Sequence, residues 1–145
     1  MKTASWVLLA IVGVLMLLGS FASLFTAYRS DAPDPLTPTI SLDEATAGRP
    51  EVETAIRARR GTAAAFAAAY AVLFLAIVLG PYRRGDTWSW WTLLAGALTL
   101  GVLIMVRVPL LGTRAGAGTG LVQLVVVIVA LLLDFRRLHA ARAPA

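Results

Sequence analysis

Apolar residues in this chain are gathered into four long runs, Trp6–Tyr28, Thr62–Leu79, Trp88–Val106 and Gly116–Leu133, that carry no charge until their ends. A helix needs about 20 largely apolar residues to cross the hydrocarbon core of a bilayer. A soluble helix of that length would show a polar stripe, and none of these runs does. The pattern predicts an all-α fold, a four-helix transmembrane bundle with spans at about 6–28, 62–80, 88–106 and 116–134 and a partly helical external first loop at 29–61.

That loop reads in two parts. Three prolines between Pro33 and Pro38 favour an extended strap. Ser41 and Glu44 have the spacing of a reciprocal helix cap, so a short helical turn is expected there. Gly48 should stop it, and Pro50 suits the first position of a new helix over 51–60. Arg49/Glu53 and Glu53/Arg57 are spaced to pair along that helix, and Val52 and Ile56 give it a narrow apolar edge. The expected picture is an amphipathic segment lying on the outer membrane surface and leading into the second span. Glu51, Glu53, Arg57, Arg59 and Arg60 are its charges.

The third span opens in a cluster of aromatic and basic residues. Trp and Tyr prefer the headgroup level and Arg pairs the cytoplasmic leaflet, so Tyr82, Arg83, Arg84, Trp88, Trp90 and Trp91 read as an interfacial anchor. Pro81 is expected to end the second helix and Thr87 to cap the third. Short segments set orientation, and the cytoplasmic side then collects Lys2, Arg83, Arg84, Arg136, Arg137 and Arg142. Both termini are expected in the cytoplasm of a multi-pass cell-membrane protein. The first run is longer than a signal-peptide core, which favours an uncleaved first span.

Composition narrows the classes further. The chain is 145 residues long and 59% hydrophobic, which leaves room for one membrane domain and no separate soluble one. Its net charge of +5 lies in clusters at span ends rather than along one face, so membrane positioning is expected and a nucleic-acid partner is not. There is no cysteine, and the single histidine, His139, has no neighbouring ligand in sequence, so no metal site is expected. The dominance of Arg over Lys and the abundance of Ala fit GC-rich coding and a bacterial source.

Candidate chemistry is sparse. No ionisable residue falls mid-span, where one would cost several kcal/mol unless paired or hydrated. Asp134, beside Arg136 and Arg137, reads as part of an interfacial ion pair. Tyr70 and Gln123 are the polar span residues in most need of a partner; an interhelical hydrogen bond is the plainer reading, a polar contact for a lipid-like ligand the alternative. Ala63/Ala67/Ala71, Ala64/Ala68 and Ala97/Gly101 form rows of small residues that let helices approach closely, within one chain or between two. Gly112, Gly116, Gly118 and Gly120 lack a phosphate-loop pattern and read as a flexible turn. No catalytic residues and no cofactor are expected.

The stretch from about residue 38 to 95, with Ser-Leu-Asp-Glu-Ala at its start and Tyr-Arg-Arg-Gly-Asp-Thr-Trp-Ser-Trp-Trp near its end, resembles small bacterial four-helix membrane proteins of the DoxX-like kind. The resemblance implies a four-helix fold with an external first loop and carries over no catalytic residues. The leading expectation is a non-enzymatic accessory or scaffold subunit, in contact with a protein partner or a second copy of itself. The alternatives are a binder or enzyme for lipid, quinone or isoprenoid, and, last, a small-solute transporter acting as an oligomer.

Overall fold

The computed structural model of the chain describes residues 4–29, 46, 48–111 and 117–140. Among them are four long helices and no strand: α1 (Ala4–Tyr28), α2 (Pro50–Ile77, continued through Val78–Tyr82), α3 (Thr87–Leu111) and α4 (Ala117–Ala140). The fold is all-α, as the apolar runs require. The proline strap and the Ser41/Glu44 cap lie outside the described residues, as do Gly112 and Gly116.

α1 keeps its hydroxyls quiet. Ser20 donates to the Met16 carbonyl at 2.8 Å and Thr26 to the Ser23 carbonyl at 3.0 Å, so neither enters the apolar environment unsatisfied.

α2 begins as the sequence predicts. Gly48 takes a positive φ of 67°, which a β-carbon would disfavour, and the Arg49 N–H closes that turn on the Thr46 carbonyl at 3.1 Å. Pro50 then occupies the first helical position, where a missing N–H costs nothing, and the Glu53 N–H reaches the Arg49 carbonyl at 3.1 Å. Glu51 and Glu53 sit in the first turn, against the positive end of the helix dipole, and Glu53 pairs with Arg57 one turn on.

Beyond that point the structure departs from the expected layout. Residues 51–60 do not form a helix of their own; they are the first turns of one helix running Pro50–Tyr82, 33 residues in all. At 1.5 Å per residue that helix is about 50 Å long, against a hydrocarbon core of about 30 Å. The excess has to stand clear of the hydrocarbon, and the charged first turns are the part suited to water. The Ala-rich stretch after Gly61 is strongly helix-forming, so the single glycine does not interrupt it.

Pro81 does not end α2 either. Its ring would clash with the Ile77 carbonyl in an α-helix, and the chain widens by one residue into a π turn, Val78–Tyr82, in which the Arg83 N–H reaches back to the Val78 carbonyl. The stop comes four residues later, at Gly85, whose φ is 97°. Its N–H bonds to the Tyr82 carbonyl at 3.0 Å and the Asp86 N–H to the Pro81 carbonyl at 3.1 Å, the paired bonds of a glycine-terminated helix. The cap of α3 is also one residue earlier than expected: Thr87 is already helical, and the Asp86 carbonyl accepts from the Ser89 N–H at 3.2 Å. At the start of α4, Gly118 and Gly120 are helical rather than part of a turn.

Contacts divide the chain into two compact units, Met1–Val14 with Leu73–Ala145, and Leu15–Val72. In the first unit, helices meet at glycines. A β-carbon on Gly13 of α1 would come within 2.6 Å of Leu75 and 3.1 Å of Phe74 on α2, and one on Gly101 of α3 within 2.6 Å of Leu124 on α4. A β-carbon on Gly120 of α4 would lie 2.8 Å from Ile104 of α3. The Ala97/Gly101 row is therefore used within the chain, with Ala97 buried one turn before Gly101. In the second unit the Tyr28 ring lies over Gly61, and the Arg29 guanidinium stacks on Phe25 at 4.6 Å.

Candidate functional site

The polar groups that the fold buries most deeply collect in the first unit, where the start of α1, the end of α2, the start of α3 and the end of α4 come together. Ser5 Oγ lies 2.8 Å from the Tyr82 hydroxyl and donates to the Ala130 carbonyl at 2.7 Å. Trp90 Nε1–H donates to the neighbouring Leu131 carbonyl at 2.9 Å. Ser89, wholly buried, turns its hydroxyl to the Asp86 carbonyl at 2.5 Å. Asp134 completes the α4 face that carries Ala130 and Leu131, and it is only 3% exposed.

Each of these residues stands one turn from a buried apolar one on its own helix: Ser5 from Leu9, Tyr82 from Val78, Ser89 from Leu93, Asp134 from Ala130. A polar layer thus closes an apolar layer. Helix carbonyls retain a second lone pair after the intrahelical bond, and Ser5 and Trp90 use those on α4. The arrangement joins four chain segments through side-chain bonds in a setting where water cannot compete for them.

Tyr82 and Trp90, two members of the expected anchor, pack against the protein itself: they are 0% and 5% exposed. Trp90 also meets Trp91 edge-on at 4.7 Å and Phe135 at 5.4 Å. Trp88 and Trp91 remain outside, each 56% exposed. Arg83 and Arg84 are exposed as well, and the Arg83 guanidinium lies 4.9 Å from the centre of the Trp6 ring. Asp134, expected in an interfacial ion pair, is a buried member of the polar layer. Arg136 and Arg137 have no described side chains to compare with it.

The two candidate ligand contacts are both half-buried and belong to different units, Tyr70 to the second and Gln123 to the first. Of the charges on the first turns of α2, Glu51 and Arg59 are exposed and Glu53 and Arg57 are paired. Among the described residues no three His, Asp or Glu side chains gather as a metal site would need. Ser5 escaped the sequence reading altogether. It stands as an ordinary small hydroxyl before the first run, and its partners are 77 and 125 positions away.

Four helices long and apolar enough to span a bilayer make this an all-α, multi-pass membrane protein. Compared with known protein families, curated proteins and solved structures, the chain matches none.

Proposed function

We propose that this is a non-enzymatic accessory or scaffold subunit of a bacterial cell membrane, with both termini in the cytoplasm, that associates through α2 with another membrane protein or with a second copy of itself. The observation that carries the reading is the division of the small-residue rows on α2. Ala64 and Ala71 are buried, whereas Ala63 and Ala67, one turn apart, are exposed beside Phe66, which is 73% exposed. In lipid no hydrophobic drive brings helices together, and close backbone approach at small residues supplies the contact energy instead. The likeness to DoxX-like proteins belongs to the same proposal.

The test is purification of the full chain in mild detergent with crosslinking, beside Ala63→Leu/Ala67→Leu. The wild type should yield a self-oligomer or a complex of fixed composition, and the double variant should lose it while keeping its helix content. A strictly monomeric wild type with no copurifying chain would overturn the proposal.

A further inference from the structure

We infer that the turn between α2 and α3 is a binding site for the phosphate of an anionic phospholipid headgroup, formed by Arg83 on its Trp6 shelf together with Arg84. This is independent of any protein partner on α2.

Three features point there. Arg83 and Arg84 are adjacent and exposed, and no ion pair engages either among the described residues. Arg83 lies over the Trp6 ring with its guanidinium carbon 4.9 Å from the ring centre, a cation–π contact that uses none of its five N–H donors in a conventional hydrogen bond. Those donors match a phosphate in pairs. The start of α1, which carries Trp6, is held beside this turn, because the neighbouring Ser5 is tied to Tyr82 and Ala130. The Arg84 guanidinium folds back over the π turn, with Nη2 4.0 Å from where a β-carbon on Gly80 would stand, which is ordinary contact distance and keeps the group beside Arg83.

The surroundings choose a lipid over a soluble anion. Trp88 and Trp91, both exposed on the first turns of α3, are side chains that settle at the headgroup level, and they put the guanidinium groups at phosphate depth. Charge chooses an anionic lipid over a zwitterionic one. Asp86 is the single carboxylate in the turn, so it leaves a net positive site, which a choline or ethanolamine would oppose.

The experiment incubates the full chain, purified in mild detergent, with phosphatidylglycerol or with phosphatidylcholine of the same acyl chains, and counts bound lipid by native mass spectrometry. Phosphatidylglycerol should be retained in clear excess. Arg83→Gln/Arg84→Gln should weaken it about 10- to 30-fold, at roughly 1 kcal/mol per arginine. Arg49→Gln/Arg59→Gln, which removes the same charge elsewhere, should bind as wild type does. Trp6→Leu keeps both charges and loses the shelf, so a drop of about 2- to 5-fold is expected; this variant reads the site even if the double glutamine variant fails to fold. Equal retention of the two lipids would overturn the assignment, as would wild-type binding by a folded Arg83/Arg84 variant. Displacement of phosphatidylglycerol by millimolar inorganic phosphate would also overturn it, making the site one for a soluble anion.

Discussion

Tyr82 donates its hydroxyl proton to Ser5 across 2.8 Å, and the direction follows from bookkeeping of protons: Ser5 has one, and it goes to the Ala130 carbonyl. A single serine at the start of α1 thereby joins the end of α2 to the end of α4. Removing it breaks two bonds, while Tyr82→Phe breaks one of them. Tyr82→Phe is expected to cost about 0.6–2 kcal/mol and Ser5→Ala about twice that. Unfolding in mixed micelles, followed by tryptophan fluorescence, reads both. If Ser5→Ala proved the milder change, the serine would not be the junction.

Gly13 and Gly19 lie on the same helix and have opposite surroundings. A side chain at Gly13 would enter the space of Leu75 and Phe74, whereas nothing lies within 4 Å of a β-carbon at Gly19. Gly13→Leu should destabilise by about 1–3 kcal/mol through overpacking, and Gly19→Leu should leave thermal stability in detergent nearly unchanged. Equal melting temperatures for the two variants would mean that α1 and α2 do not meet at Gly13.

The length of α2 makes a prediction about water access. In nanodiscs, where both membrane faces are open to reagent, a cysteine at Ala55 should react with a charged maleimide and one at Ala69 should not. Both positions are exposed in the protein, so the difference reports the bilayer alone. Protection at Ala55 would return residues 51–60 to the membrane surface.

Orientation can be tested in intact cells. A cysteine at Thr37 should react with an impermeant thiol reagent, and one at Gly85 should be protected until the cells are opened. In the proposed orientation the second loop is cytoplasmic, and Arg83→Glu/Arg84→Glu removes its positive charge, so part of the population should insert inverted. Labelling at Gly85 but not at Thr37 in the wild type would place the long loop in the cytoplasm.

Much of the architecture is legible along the chain because it depends on local properties. The apolar runs predict the four helices, since partition into hydrocarbon adds up residue by residue over a run. Gly48 and Pro50 mark the start of α2 through their own backbone preferences, and the structure keeps both. Pro81 misled because two responses to a mid-helix proline, stopping or widening into a π turn, satisfy the same local constraint; Gly85, four residues on, supplies the stop.

What the tertiary structure alone decided is which faces meet. In water an amphipathic stripe reveals the buried face of a helix, but here lipid and protein interior are equally apolar, and the contrast that would mark the inner face is missing. Nothing in the one-dimensional pattern separates Ala64, buried, from Ala63, exposed, or Trp90, inside, from Trp91, outside. The junction of Ser5, Tyr82 and Ala130 depends on residues up to 125 positions apart, and only the packing of α1, α2 and α4 brings those groups within hydrogen-bonding distance.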